Sequence, residues 1–160
     1  MIPRIILAIG LPGSGKSAYL AGLGAYPLSS DALRLQLADD ETDQTINARV
    51  FSVMRYLLTQ RIELRRPTTY IDATNLTRRD RRPFLHLARK HGCETEALYF
   101  DTSLSVCQAR NAARHRTVPG HVLNLMAAKL VPPSLEEGFN FVKVISVADP
   151  PRKHPTESTN

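Results

Sequence analysis

The chain has 160 residues, 42% hydrophobic and 6% aromatic, which suffices for one compact core but is short for two domains. Its net charge is +6, carried by 16 Arg against 5 Lys, which favours bidentate contacts to phosphate oxygens, with an ordinary basic surface as the alternative. No apolar run has membrane-spanning length, and Cys93 and Cys107 lack zinc-site spacing. We therefore expect a cytoplasmic protein with a polyanionic ligand and no membrane partner.

Strand-like and helix-like segments alternate along the chain, beginning with an apolar run at residues 4–9 that stops at a glycine. Further predicted strands cover residues 26–30, 68–72, 95–100 and 139–147. Predicted helices cover residues 17–23, 32–38, 45–65, 78–91, 103–114 and 119–130. The alternation predicts an α/β fold with a parallel sheet flanked by helices in one domain, residues 1–147. The polar, proline-containing residues 148–160 are predicted to form a disordered tail.

A phosphate-binding loop is the most specific motif, because residues 10–17, GLPGSGKS, satisfy G-x-x-x-x-G-K-[ST] between a predicted strand and helix. The backbone around Gly13, Ser14 and Gly15 is expected to surround phosphate oxygens at a helix N-terminus. Lys16 would span the β- and γ-phosphates, and the Ser17 hydroxyl would ligate Mg²⁺. This motif predicts binding of a nucleoside triphosphate, while an Asn-Lys-x-Asp guanine motif is absent from the chain.

Asp31 and Arg34 are candidate residues for the phosphate acceptor. Asp31 follows the second predicted strand, whose end lies on the same sheet edge as the phosphate loop. A carboxylate there could accept the proton of an attacking hydroxyl, or it could cap the helix, or do both. Arg34, one helical turn on, could contact a neighbouring phosphate or be an ordinary salt-bridge partner.

The sequence Asp72-Ala-Thr-Asn75 ends the third predicted strand, again on the ligand edge. Asp72 could hold a Mg²⁺-bound water or receive the acceptor hydroxyl, and Asn75 could bond to a phosphate or a loop. Turn chemistry is the alternative for Thr74 and Asn75. We assign Asp72 and Asn75 to acceptor binding.

A late group of arginines predicts a lid over the triphosphate. Arg110 and Arg114 are spaced to share one helix face, where they could neutralise charge in the transition state, although a solvated basic face is the alternative. Arg116 lies in the adjoining segment, and its role is open. Arg78, Arg79, Arg81 and Arg82 are interpreted as a solvated helix start rather than an acceptor groove.

Taken together, GLPGSGKS, SSDALR, DDETDQT, YIDATN, VCQARNAARHR and EEGFNFV occur in an order and at spacings that resemble the polynucleotide 5′-hydroxyl kinase family. The likeness is greatest to the kinase module of bacterial RNA end-healing and sealing enzymes. It covers nearly the whole folded chain and implies a P-loop kinase fold with a five-stranded parallel sheet and a helical, Arg-bearing lid. The larger members carry phosphatase and ligase domains after the kinase.

The resemblance implies that Asp31 is the general base and Arg34 an acceptor-side phosphate contact. It further implies that Lys16 and Ser17 bind the triphosphate and metal, and that Arg110 and Arg114 are lid arginines. The expected activity is ATP- and Mg²⁺-dependent phosphorylation of a 5′-hydroxyl end of RNA or DNA. Two alternatives stay open: a kinase acting on a sugar, nucleoside or antibiotic hydroxyl, and a nucleotide-binding module without turnover.

Overall fold

A single parallel sheet organises the protein, whose computed structural model describes residues 1–115 and 118–146. Five strands lie in the order β2-β3-β1-β4-β5, and each neighbouring pair is parallel. The strands are β1 (Arg4–Ile9), β2 (Leu28–Ser29), β3 (Thr68–Asp72), β4 (Glu94–Phe100) and β5 (Phe141–Ile145). From β1 the chain passes to the edge strand β2, returns to β3 between them, and then crosses to β4 and β5 on the other side. Because all the strands are parallel, their carboxyl ends share one edge of the sheet.

In the described part of the chain, six α-helices cross over between the strands or follow them. They are α1 (Lys16–Gly22), α2 (Ser30–Ala38), α3 (Asn47–Glu63), α4 (Arg78–Lys90), α5 (Leu104–Ala112) and α6 (Gly120–Lys129). Two 3-10 turns, Gln44–Ile46 and Leu135–Glu137, precede α3 and β5. Both the parallel sheet and its flanking helices confirm the predicted α/β architecture.

The central strand β1 is buried on both faces, as its unbroken apolar sequence predicts. Ile5, Leu7 and Ile9 point to a core shared with apolar side chains of α3 and α4. Ile6 and Ala8 point to the opposite core, which includes residues of α1. Because successive strand residues alternate faces, one short strand anchors both helical layers and fixes where its glycine-rich extension leaves the sheet.

Several predicted boundaries need correction. Strand β2 has two residues instead of five, because Ser30 already belongs to α2. The predicted helix at 45–65 is divided into a 3-10 turn and α3, and α5 ends at Ala112, before Arg114. The end of the last predicted strand, at Val147, the predicted tail 148–160 and Arg116 lie outside the described residues. Within the described residues, no helix is long and apolar enough to cross a membrane.

Arg81 corrects the interpretation of the α4 arginines as solvated, because its side chain is fully buried. Its Nε and Nη2 donate to the two carboxylate oxygens of Glu137 at 2.8 and 2.9 Å. Its Nη1 donates to the backbone oxygens of Asn75, Leu76 and Val131. Arg81 therefore joins the turn after β3, the end of α6 and the 3-10 turn before β5. Arg78, Arg79 and Arg82 are exposed, as predicted.

Candidate active site

The glycine-rich loop after β1 is shaped by close backbone approaches. Gly13 and Gly15 have φ values of +80° and +101°, the left-handed region that favours glycine. A Cβ on Gly13 would lie 2.9 Å from the backbone oxygen of Cys107, so α5 packs directly on the loop. From the end of β4, the buried Thr102 hydroxyl donates to the Ser14 carbonyl at 2.9 Å. The loop is thus held from outside by α5 and by the segment after β4, and it leads directly into α1.

Lys16 begins α1, and only 8% of its surface is exposed. Its Nζ donates to the carbonyls of Gly10 and Leu11 at 2.9 and 2.8 Å, which folds the side chain over its own loop. Burial lowers the pKa of Lys16 from 10.5 to about 8; the nearby Asp72 opposes this shift, while Arg114 adds to it. An anionic phosphate group beside this ammonium would favour its charged form, as the proposed donor-binding role requires.

Ser17 and Asp72 form a candidate metal-binding pair. The Ser17 hydroxyl donates to Oδ2 of Asp72 at 2.7 Å and thereby joins the start of α1 to the end of β3. A hydroxyl and a carboxylate are hard oxygen ligands, and Mg²⁺ commonly binds through one or two such groups plus water and substrate phosphates. The pair therefore fits Mg²⁺. Within the described ranges, no group of three or more His, Cys, Asp or Glu residues is arranged to hold a metal ion. Asp72 contacts the donor side, whereas we assigned it to acceptor binding.

Asp31 and Arg34 lie together at the start of α2. Arg34 Nη1 donates to Oδ1 of Asp31 at 2.8 Å; Arg34 is 5% exposed, whereas the Asp31 side chain is 56% exposed. The alternative role for Asp31, capping α2, is wrong, because the Ser29 hydroxyl accepts the Ala32 N–H and Asp31 lies inside the first helical turn. Helix capping therefore does not explain the position of Asp31, whose side chain lines the cavity.

Asn47, at the start of α3, completes the acceptor-side contacts. Its Oδ1 accepts from Nε and Nη2 of Arg34 at 2.9 and 2.8 Å. Its Nδ2 donates to Oε1 of Gln44 at 2.9 Å. Arg34 is therefore held between two helices by Asp31 and Asn47, a tighter setting than the surface salt bridge considered as its alternative.

Asn75 has contacts that indicate turn chemistry. Its φ is +49°, and its Nδ2 donates to the carbonyl of Ala8 in β1 at 2.8 Å. The side chain is 2% exposed, and its buried Oδ1 has no hydrogen-bond partner among the described residues. These contacts do not support the acceptor-binding role that we assigned to Asn75, because its amide group ties the turn after β3 to the central strand.

The predicted lid corresponds to α5 and α6. Arg110 Nη1 donates to the Gly13 carbonyl at 3.3 Å, and Arg114 lies beyond the end of α5 rather than on the same helix face. Both side chains line the cavity. The buried Asn111 holds the connection by donating to the Val118 carbonyl at 2.6 Å and accepting from its N–H at 2.8 Å.

The phosphate loop and the candidate side chains border one open cavity of about 1090 Å³ at the carboxyl edge of the sheet. The phosphate loop forms one end, and Asp31, Arg34 and Asn47 line the other part. Glu41 and Phe51 add an acidic and an apolar surface to the second part. The cavity brings together the predicted site residues Gly13, Ser14, Gly15, Lys16, Ser17, Asp31, Arg34, Asp72, Asn75, Arg110 and Arg114.

Sequence reasoning missed Asn47, Thr102 and Asn111. Asn47 and Thr102 belong to none of the quoted motifs, and Asn111 lies in VCQARNAARHR, where attention fell on the arginines. Only their positions in the predicted elements could have indicated a role. Thr102 follows the end of a strand, and Asn47 starts a helix after an acidic linker. Their contacts could not be predicted because the partners lie at other positions in the chain. Thr102 contacts a residue 88 positions away, Asn47 one 13 positions away and Asn111 one 7 positions away.

The parallel sheet, the phosphate loop opening α1 and the paired Ser17 and Asp72 define a P-loop kinase-like, nucleotide-binding domain. The cavity, which extends from the phosphate loop to the Asp31 carboxylate, is consistent with a phosphotransferase of this class. The chain belongs to the AAA_33 family, described as an AAA domain, whose sequence model matches residues 5–133. No curated protein matches the sequence.

Solved structures share the fold at low sequence identity. A putative kinase from Chloroflexus aurantiacus is 17% identical, with a TM-score of 0.71 over 91% of this chain and 89% of that one. A chain of the Pnkp1/Rnl/Hen1 RNA repair complex is 19% identical, with a TM-score of 0.68 over 81% of this chain and 44% of that one. A gluconokinase from Sinorhizobium meliloti is 23% identical, with a TM-score of 0.61 over 93% and 85%. These likenesses establish the fold alone.

Proposed function

We propose that the protein transfers the γ-phosphoryl group of ATP to the 5′-hydroxyl end of RNA or DNA. The observation that carries the proposal is the Asp31–Arg34 pair, joined at 2.8 Å, in the same cavity as the phosphate loop. A carboxylate at this strand end can receive a hydroxyl proton while the phosphates lie against the loop. Nucleotide binding alone would not require the second half of the cavity.

The donor end binds the triphosphate through backbone and side-chain groups. Amides of the loop and the start of α1 donate to phosphate oxygens, and Lys16 exchanges its contacts with Gly10 and Leu11 for the β- and γ-phosphates. Ser17 and Asp72 would hold Mg²⁺, which would supply positive charge to the phosphates. Arg110 and Arg114 would contribute further positive charge from the lid side.

The acceptor end would position and deprotonate the attacking hydroxyl. Asp31 takes the proton as the hydroxyl oxygen forms its bond to the γ-phosphorus and the bond to the ADP oxygen breaks. Arg34 orients the Asp31 carboxylate through its 2.8 Å hydrogen bond. The two halves of the cavity therefore have separate roles, since the loop stabilises charge and Asp31 accepts the proton.

A nucleic-acid acceptor is supported by charge and by likeness. The chain carries a net charge of +6, which suits a polyanionic substrate. The quoted sequence segments resemble polynucleotide 5′-hydroxyl kinases, and one structural neighbour belongs to an RNA repair complex. Each phosphodiester following the terminal hydroxyl would meet a predominantly basic protein.

A small-molecule acceptor is the second candidate, and the cavity lining favours it. Glu41 and Asp31 are acidic, and Arg34 is engaged with Asp31 and Asn47. An uncharged polyol would meet less repulsion there than a phosphodiester would. The structural likeness to a gluconokinase is compatible with this candidate.

The deciding experiment incubates the protein with ATP labelled at the γ-phosphate, Mg²⁺ and one acceptor at a time. The acceptors are 5′-hydroxyl RNA and DNA oligonucleotides, matched 5′-phosphorylated oligonucleotides, nucleosides, gluconate and other polyols. We expect label only on the 5′-hydroxyl oligonucleotides, and none with the Asp31→Asn variant. Label on a polyol with none on oligonucleotides would replace the first candidate by the second, and transfer to no acceptor would contradict both.

A further inference from the structure

Asn47 is the residue on the acceptor side whose contacts exceed what the start of a helix requires. The backbone N–H of Asn47 already donates to the Gln44 carbonyl, which satisfies its local turn. Its side chain makes three further hydrogen bonds: two accepted from Arg34 at 2.9 and 2.8 Å, and one donated to Gln44 at 2.9 Å. The two contacts with Arg34 connect α3 to α2.

We propose that Asn47 is a positioning residue that holds the Arg34 guanidinium in the orientation that places the Asp31 carboxylate for proton transfer. This inference rests on the proposed kinase function. Arg34 donates to Asn47 through Nε and Nη2, one edge of its planar fork, and to Asp31 through Nη1. Fixing one edge of a rigid plane fixes the direction of its other donors.

The orientation of the Asn47 amide follows from chemistry. A guanidinium carries only donors, so the atom of Asn47 that faces Arg34 must be the oxygen. The NH₂ group must then face away, and there it meets Oε1 of Gln44 at 2.9 Å, an acceptor of the required kind. The contacts with Arg34 and with Gln44 require the same amide orientation. The Asn47 side chain is therefore held on both sides, and it can in turn hold Arg34.

A neutral amide suits this position better than a carboxylate would. Arg34 is 5% exposed, where charges interact more strongly than in water. An acidic residue at 47 would share the positive charge of Arg34 with Asp31, whereas the amide oxygen fixes the guanidinium plane and adds no net charge. The structure thus separates two roles, because Asn47 orients Arg34 while Arg34 directs its charge at Asp31.

The first test is structural and independent of any acceptor. Crystal structures of the wild-type protein and of Asn47→Ala are compared at Arg34 and Asp31, with the Nε–H proton exchange of Arg34 followed by NMR. We expect the variant to lose the fixed guanidinium plane and to exchange the Nε proton about tenfold faster or more. An unchanged Arg34 geometry and exchange rate would overturn the inference.

The second test is kinetic and uses whichever acceptor the wild-type protein phosphorylates. For Asn47→Ala we expect kcat to fall about 10- to 100-fold while the KM for ATP stays the same, because misplacing a reacting group slows the transfer step. Asn47→Asp retains an oxygen for Arg34 and should lose less than Asn47→Ala. Gln60→Ala, which removes an exposed side-chain hydrogen bond on the same helix, is the matched control and should leave kcat unchanged.

A double-mutant cycle decides whether Asn47 acts through Arg34. If it does, adding Asn47→Ala to Arg34→Ala produces no further loss of kcat, because the group it positions is gone. If the double variant instead shows the product of the two single-variant losses of kcat, the inference is overturned. A wild-type kcat for Asn47→Ala would overturn it as well. If Asn47→Ala folds poorly, Asn47→Ser takes its place in the cycle. If the wild-type protein phosphorylates no acceptor, the proposed function fails by itself, and the structural test still decides what Asn47 holds.

Discussion

The two ends of the cavity are built in different ways. The proposed donor end comes mostly from one continuous segment, residues 10–17, whose backbone shape is set by glycines and by the start of α1. The proposed acceptor end combines side chains of α2 and α3, with the Asp31–Arg34–Asn47 contacts joining residues up to 16 positions apart, from 31 to 47. One end depends on local backbone geometry, and the other depends on how two helices pack.

This difference has consequences for tolerance to mutation. Backbone amides bind phosphates whatever side chains surround them, so the donor end should depend on few side chains, above all Lys16. The acceptor end should depend on every member of its hydrogen-bonded series of side chains, because each orients the next. The following predictions test this contrast, from the largest effect to the smallest.

Replacing Lys16 should have the largest effect on activity. Lys16→Ala removes the one loop side chain that carries positive charge, and we expect transfer to fall by about 10³-fold or more, since charge stabilisation dominates phosphoryl transfer. Turnover is measured at saturating ATP. Lys129→Ala, on the exposed end of α6, is the charge-matched control and should transfer normally. Near-normal transfer by Lys16→Ala would contradict the assignment of the loop.

The acceptor end is tested most directly at Asp31. Asp31→Asn keeps the size of the side chain, and Ser29 still caps α2, so the variant should fold, with some loss of stability because the nearly buried Arg34 loses the charge of this carboxylate. Loss of the proton acceptor should lower kcat by about 10²- to 10⁴-fold while ATP binding persists. Calorimetric titration with a non-hydrolysable ATP analogue measures that binding. Full activity would remove Asp31 from the mechanism, and lost ATP binding would place it at the donor end.

The lid arginines can be separated from a solvated basic surface. Arg110→Ala and Arg114→Ala should each lower kcat at saturating ATP by about 10²-fold, because both guanidinium groups border the site of charge development. Lysine at either position should rescue poorly, since the planar fork is lost. Arg79→Ala, on the exposed start of α4, serves as the comparison. Equal, small effects at positions 79, 110 and 114 would favour the basic-surface alternative.

The Arg81–Glu137 pair supports the turn after β3, beneath the donor end. Glu137→Gln would leave the fully buried guanidinium without its counter-charge, and we expect about 3 kcal/mol of lost stability. Denaturant unfolding measures this loss, with Glu136→Gln, which alters the neighbouring exposed carboxylate, as the control. A stability change below that of the control variant would mean that Arg81 gains little from Glu137.

Lys16 also predicts that the stability of the protein depends on pH. Its folded pKa, about 8, lies below the ordinary 10.5, so between these values the unfolded chain binds a proton that the folded protein has released. The free energy of unfolding should therefore rise with pH in this window, by up to about 1.4 kcal/mol per pH unit. Lys16→Met should lack this contribution. Identical pH profiles for the two proteins would contradict the lowered pKa.

The sequence by itself determined those features that depend on near neighbours. The apolar strand before the glycines, the phosphate loop and the order of strands and helices follow from period and local conformation. The boundary at α2 was less accurate because a two-residue strand passes directly into a helix, and Ser29 competes with Asp31 for the cap. Adjacent serine and aspartate are both good caps, so propensity alone could not choose.

Only the tertiary structure decided the partners of the buried polar groups. Arg81 and its exposed neighbours look alike in the sequence, but Arg81 alone among the four arginines at the start of α4 faces the interior, where Glu137 approaches it from 56 positions away. Likewise, Arg34 finds Asn47 only because α2 packs on α3, and Asp72 meets Ser17 because β3 lies beside β1. A local pattern encodes which face is buried, whereas the pairing of charges depends on which distant element covers that face, because burying a charge is stable only where a partner is present.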